Sequence, residues 1–163
     1  MSNLKKASVK NVRKALKDAG LNDTVIELDE TARTAEDAAK STGAELGAIV
    51  KSLVFIIGEQ PVIALVAGDH TCKSENLARA LNLEGAVSKA SADEVKAATG
   101  FTIGGCAPIG LEVPLPIVID VSLKRFETLY AAAGHPHCVF PTTVAELKSL
   151  TGGIISYNIA EPI

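Results

Sequence analysis

The stretch IVKSLVFIIGEQPVIALVAGD, residues 49–69, decides the fold. Two apolar runs flank a Gly58-Glu59-Gln60 turn, and runs of this length parted by a glycine predict a β-hairpin. The first run is nearly continuous in apolar residues, which predicts a strand covered on both faces. Lys51 interrupts it. By alternation Lys51 shares a face with Ile49, Leu53 and Phe55. A lysine there is costly unless its ammonium finds a partner or reaches an opening. Two readings stand side by side: an edge lysine whose head reaches water, and a cation aimed into a pocket, suited to an anionic or carbonyl-bearing ligand.

Outward from the hairpin, the pattern changes period repeatedly. Upstream, residues 8–19 place Val9, Val12, Leu16 and Ala19 at helical spacing, with Gly20 as the stop. TVIEL (24–28) alternates like a strand, and TAEDAAKSTG (34–43) reads as a helix with Thr34 as N-cap and Asp37 three residues on. Downstream, SENLARALN (74–82) and SADEVKAATG (91–100) read as capped helices. FTIGGCAPIG (101–110) reads as a short strand running into a glycine loop, and LPIVIDVSL (115–123) as a strand. RFETLYAAAG (125–134) mixes periods and stays open between helix and strand. HCVF (137–140), TTVAELKSLTG (142–152) and GIISY (153–157) read as strand, capped helix and strand. The expectation is a mixed α/β fold, a single compact domain over residues 1–163, with a largely antiparallel, barrel-like β core and about five helices around it.

Composition narrows the function classes. The chain has 163 residues, 47% hydrophobic and 21% charged, with a formal net charge of −3. That balance suits a compact core and argues against a uniformly basic surface for DNA. No apolar run approaches the ~20 residues of a membrane span. The first twenty residues hold no apolar signal core, and three cysteines are too few for a disulfide scaffold, so a reducing cytoplasm is the expected setting. Charge is unevenly placed. No acidic residue precedes Asp18, whereas Lys5, Lys6, Lys10, Arg13, Lys14 and Lys17 all do. On the first helix Lys10, Arg13, Lys14 and Lys17 make a stripe, readable as a solvated face or as a set of phosphate contacts.

Two further stretches carry chemistry. In GGCAPIG (104–110) the glycines permit close approach of a ligand to backbone N–H groups, and Pro108 stiffens the exit. Cys106 is either a nucleophile, with His135 as base, or an incidental small residue. The cysteine follows a strand and precedes Ala107-Pro108, so no helix N-terminus activates it, which favours the backbone cradle. GHPHC (134–138) sets two histidines beside a cysteine, with His70 and Cys72 as further potential ligands, but the spacing matches no standard zinc site and no metal is expected.

The order IVKSLVF, AGD, capped helix, TGFTIGGCAPIG and AGHP resembles the YbaK / prolyl-tRNA-synthetase-associated family of editing domains, from about residue 8 to the C-terminus, with TAEDAA adding to it. The resemblance implies a free-standing deacylase that hydrolyses mischarged aminoacyl-tRNA without a cofactor. It assigns the family lysine to Lys51, the G-x-x-x-P loop to Gly104, Gly105, Cys106, Ala107 and Pro108, and the GHP histidine to His135. An asparagine that closely follows GHP in some branches is missing from GHPHCVF. Lys51, Gly104, Gly105, Pro108 and His135 are thus the expected catalytic set. Thr34, Asp69, Phe101, Cys106, Ala107 and Pro136 are expected around the substrate, with Phe101 or Phe140 as a wall. Lys10, Arg13, Lys14 and Lys17 are the expected tRNA-backbone contacts.

The implied partner is mischarged tRNA, met at its acceptor end, with prolyl-tRNA synthetase or an elongation factor as candidate protein partners and neither membrane nor DNA. The implied chemistry is water attack on the ester, assisted by the substrate's neighbouring ribose hydroxyl. Small residues around the loop point to a small acyl group, with alanine and its near homologues ahead of serine and cysteine. Two other classes remain: a metal- or cysteine-dependent hydrolase of small esters, and a non-catalytic tRNA- or synthetase-binding module.

Overall fold

The computed structural model describes residues 2–28 and 34–163. The hairpin is at its centre. Strand β2 (Ile49–Ile57) pairs antiparallel with β3 (Gln60–Ala67), in register from Val50 opposite Ala67 to Ile57 opposite Gln60. Gly58 takes φ 62, the left-handed conformation a two-residue hairpin turn asks of its first residue.

The alternation of β2 and β3 feeds two cores. Val50, Val54, Ile63, Leu65 and Ala67 belong to the larger one, together with Val9, Val12 and Leu16 of α1 (Ala7–Asp18), Val95 of α4 (Ala92–Thr99) and Leu147 of α5 (Val144–Thr151). Phe55, Ile57, Val62, Ala64 and Val66 face the other, under Leu77 of α3 (Leu77–Leu81). Strand β2, expected to be covered on both faces, is only half-buried at Lys51, Ser52, Leu53 and Ile56. Residues 62–67 of β3 are fully buried. Each such aliphatic side chain contributes about 1.5–3 kcal/mol of burial. A third, small cluster sets Ala38 and Ala39 of α2 (Ala35–Thr42) against Ile49 and Val139.

Around the hairpin the sheet runs β1 (Ile26–Glu27), β8 (Cys138–Thr142), β7 (Leu129–His135), β2, β3, β6 (Ile117–Asp120) and β9 (Ile154–Ser156), with β5 (Val87–Lys89) also on β2. It is mixed: β7 on β2, β6 on β3 and β9 on β6 are parallel, the other pairs antiparallel. A two-stranded sheet joins β4 (His70–Cys72) to β10 (Ala160–Pro162). None of the described helices is long and apolar enough to cross a membrane.

Local signals explain the helices. Thr34, Ser91 and Thr143 each accept a hydrogen bond from the backbone N–H three residues on, and Ser91 with Glu94 closes a full capping box. RFETLYAAAG resolves as strand from Leu129 onward, because alternate residues Leu129, Ala131 and Ala133 enter the core. Several expectations need correction. FTIGGCAPIG contains no strand; residues 101–116 run as turns and irregular chain between two buried anchors, Phe101 and Ile117. SENLARALN starts as a 3₁₀ turn over Ser74–Asn76 and has no side-chain cap. LPIVIDVSL is strand only over β6; Asp120 then accepts from the Ser122 N–H and caps a 3₁₀ turn, Val121–Arg125. Strands β4, β5 and β10, each three residues long, give no periodic signal and were not expected.

Candidate active site

A break in the sheet makes the cavity. On the edge of β2 away from β3, β7 pairs only at Ile49 and Val50, and β5 only at Phe55–Ile57. The Ala90 N–H still reaches the Val54 carbonyl at 3.1 Å. Between these attachments Lys51, Ser52 and Leu53 lack a strand neighbour on that side, and β7 and β5 diverge around them. The gap opens into a cavity of about 320 Å³. Its walls are residues 49–54, Thr34, Ala35 and Ala38 of the α2 start, Lys89 at the end of β5 and Ala90 after it, Val95, Ile103 to Cys106 of the glycine loop (without Gly105), Tyr130 and Ala132 of β7, Pro136 and Val139.

Lys51 is half-buried, and its Nζ donates to the His70 carbonyl. Burial pushes its pKa below the ordinary lysine value; the carboxylates of Glu36, Asp69 and Asp120 act in the opposite sense. An ammonium has three donors, so the His70 carbonyl leaves two for other partners. Ser52, on the neighbouring face, has a buried Oγ with no hydrogen-bond partner among the described residues. An unsatisfied buried hydroxyl costs about 1–3 kcal/mol. Ser52→Ala is therefore expected to raise the unfolding midpoint, measured by thermal melting; a lowered midpoint means that the hydroxyl has a stabilising partner in solution.

The glycine loop divides its tasks residue by residue. Gly104 lines the cavity with φ 87, a conformation that disfavours side chains, although a Cβ there would meet only Pro136 Cγ at 3.8 Å. Gly105 is the reverse. Its φ is not left-handed, but a Cβ would lie 2.9 Å from His135 Cα. Close approach to the backbone at residue 135, not positive φ, demands this glycine. Its N–H is engaged with Thr102 O at 3.1 Å. Cys106 lines the cavity yet is 3% exposed, and burial pushes its thiol up to about 11, so it is not a thiolate at neutral pH. Cys72 and Cys138 are pushed up to about 11 for the same reason.

Of the residues expected here, the fold brings Lys51, Thr34, Gly104, Cys106 and Pro136 to one cavity. Others stand behind or beside it. Ala107 and Phe101 are buried in the larger core, as is Phe140, so neither phenylalanine is a cavity wall; Ile103, Tyr130, Val95 and Val139 take that place. Pro108 lies on the loop's far side, in a groove with Ala15, Ala19 and Leu150. His135 flanks the cavity through its chain neighbour Pro136. Its Nδ1 accepts from the His137 N–H at 3.1 Å, and burial, then Lys6 and His137, lower its pKa. Asp69 is held by Arg125 in a two-pronged ion pair that lowers its pKa to about 2.

The basic stripe splits. Arg13 turns to Asp23 at 2.7 Å and to the Leu4 carbonyl, whereas Lys10, Lys14 and Lys17 stay exposed, Lys14 with Asp18 at 3.0 Å. The helix carrying them packs against the end of β7 and the exit of the glycine loop and supplies none of the cavity's walls. A Cβ on Gly134 would come 2.5 Å from Ser8 O, and one on Gly110 3.2 Å from Asn11. No group of three or more His, Cys, Asp or Glu among the described residues is arranged to hold a metal ion. Sequence reasoning missed Ser52, Lys89, Ile103 and Tyr130, which reach the cavity only because β5, β7 and the loop converge there.

Comparison with known proteins agrees with this architecture. The model of the aminoacyl-tRNA editing domain family matches residues 29–150. A crystal structure described as that of a candidate trans-editing enzyme for prolyl tRNA synthetase superposes with a TM-score of 0.88 and 36% identity, covering 96% of this chain and 98% of the other. The protein YwhH of Bacillus subtilis, whose function is uncharacterised, is 32% identical over 145 residues, 88% of this chain and 91% of its own. EbsC of Enterococcus faecalis, named as a candidate Cys-tRNA(Pro)/Cys-tRNA(Cys) deacylase, is 29% identical over 121 residues, 74% and 73% of the two chains. With the family model spanning most of its length and the divided sheet edge of β2 carrying the lysine and glycine loop, the chain belongs to the aminoacyl-tRNA editing domain family, a family of aminoacyl-tRNA deacylases.

Proposed function

We propose that this deacylase removes small amino acids from mischarged tRNA-Pro, acting in trans in the cytoplasm. The observation that carries the reading is the cavity itself. At about 320 Å³ it is near the lower end of ligand pockets, which span about 300–1,000 Å³. Alanines, a glycine, a cysteine and valines line it, together with Ile103 and Tyr130. A small acyl group fits such a site, and bulk excludes larger ones.

The chemistry follows from what lines the walls. Lys51 directs its remaining donors at polar groups of the terminal nucleotide. The N–H groups of Gly104 and Cys106 are the loop's candidates for the ester carbonyl, since that of Gly105 is engaged internally. In the tetrahedral transition state the carbonyl oxygen gains charge, and donors aimed at it act most strongly there. The attacking water is oriented by the ribose hydroxyl next to the ester, so the protein contributes position and electrostatics. The C–O bond to the ribose breaks, and the freed ribose oxygen takes the proton that the water gives up. Exposed Lys10, Lys14 and Lys17 supply counter-charges for the acceptor stem.

A deacylation panel tests the reading. Purified protein is given tRNA-Pro charged with alanine, 2-aminobutyrate, serine, cysteine, threonine and proline. Fast release of the small residues with the prolyl ester spared is expected. One methylene is worth only about 1–3 kcal/mol of discrimination, so neighbours such as alanine and 2-aminobutyrate should differ by no more than about 10–200-fold. Rapid hydrolysis of the prolyl ester, or of none, overturns it.

A further inference from the structure

A line of contacts among residues outside the cavity wall ends on Lys51. Asp120, 3% exposed, accepts from Ala67 N–H at 3.2 Å, Ser122 N–H at 2.9 Å and Ser122 Oγ at 2.5 Å. The Ser122 carbonyl in turn accepts from Arg125 Nε at 2.7 Å. Arg125 extends both remaining prongs to Asp69, at 3.0 and 2.8 Å, and its guanidinium carbon lies 4.9 Å from the Phe126 ring centroid. Asp69 also meets His70 Nδ1 at 2.7 Å. The His70 carbonyl, at the end of this line, is the acceptor that holds Lys51 Nζ. Gly47 is packed beneath: a Cβ there would fall 2.8 Å from Arg125, Asp69 and Phe126 alike.

We infer that Arg125 is a positioning residue for Lys51, acting through Asp69 and the His70 carbonyl. Arg125 and Asp69 are not among the residues that line the cavity. Their side chains are 42% and 34% exposed, and an ion pair so open to water contributes little to stability. Yet the arginine is fixed on three nitrogens and against an aromatic ring. That much order in a stability-neutral pair has a geometric use: it sets the 69–70 turn, and with it the direction of the ammonium. The two-pronged grip needs the planar fork of arginine, which lysine lacks.

The kinetic test rests on the proposed deacylase reading; a chemical one does not. Arg125→Met is expected to lower kcat about ten- to hundredfold, the scale of a misplaced catalytic group, with KM for tRNA and the melting midpoint nearly unchanged. Arg125→Lys should recover part of the loss, and Lys124→Met, an exposed neighbour, should lose nothing. In a Lys51→Ala background Arg125→Met should cost nothing further, because both act through one group. A raised KM with unchanged kcat, or a full additional loss in that background, overturns the inference and places Arg125 on tRNA itself. Independently, amine-reactive ester labelling mapped by mass spectrometry should speed up at Lys51, relative to Lys124, once Arg125 is replaced. Unchanged Lys51 labelling sinks the positioning role even if the protein proves to hydrolyse no ester at all.

Discussion

Lys51→Ala is expected to lower kcat/KM for deacylation by about 10²-fold, because the terminal nucleotide loses the cation that fixes it and a misplacement of about 1 Å at the ester costs that much. The prediction follows from three placements. The lysine stands on the only part of the β2 edge, among the described residues, that neither β5 nor β7 covers. Its Nζ is anchored to the His70 carbonyl, so the ammonium is aimed before substrate arrives. Partial burial raises the strength of each contact it makes, because charge interacts more strongly where water is excluded. The fold should survive. The His70 carbonyl loses a donor, but β4 keeps its pairing with β10, and the Lys73 N–H keeps Ile159 O at 2.6 Å. Lys51→Met serves as the control that keeps the apolar stem. Thermal melting should show both variants folded. Turnover like that of the unsubstituted protein in either one removes Lys51 from the site.

What could be read in advance, and what could not, divides along a physical line. The hairpin was legible because apolar alternation and a glycine turn are local properties of the chain. Three N-caps were legible for the same reason: Thr34, Ser91 and Thr143 each act within one turn. Lys51 stood out because a cation inside an apolar strand demands an explanation. The cavity wall was another matter. Ile103, Lys89 and Tyr130 come from three separate segments, and no spacing links them. The same holds for Arg125, whose partner Asp69 is 56 residues away. Asp69 itself was expected at the substrate, but a carboxylate next to a lysine-bearing strand looks the same in sequence whether it faces a ligand or an arginine. The strand expected before the glycine loop failed for a different reason. Phe101 and Ile109 are buried, as strand residues are, but they anchor an irregular loop whose Gly104 is left-handed.

Gly105→Val is expected to abolish most activity and to lower stability, whereas Cys106→Ala should keep both near the starting level. Valine at 105 would put its Cβ 2.9 Å from His135 Cα and 3.1 Å from the backbone nitrogen and carbonyl carbon of the same residue. None of those atoms belongs to a flexible side-chain end, so the loop itself must move. Overpacking of this kind costs about 1–3 kcal/mol. In a chain of 163 residues that corresponds to a fall of the melting midpoint by roughly 2–4 °C per kcal/mol. The loop cannot retreat without displacing Gly104 and Cys106, whose N–H groups are the proposed partners of the ester. A shift of about 1 Å there is enough for a hundredfold loss. Gly104→Ala separates conformation from space. It has room, since only Pro136 Cγ lies within 4 Å, but its φ of 87 puts an L-residue under strain of about 1–2 kcal/mol. It should therefore lose less activity than Gly105→Val. Cys106→Ala removes a buried thiol that is protonated at neutral pH and leaves the backbone path intact. Deacylation rates and melting curves of the three variants, measured together, decide the matter. An inactive Cys106→Ala beside an active Gly105→Val would make the sulfur the working group and the loop its mere support.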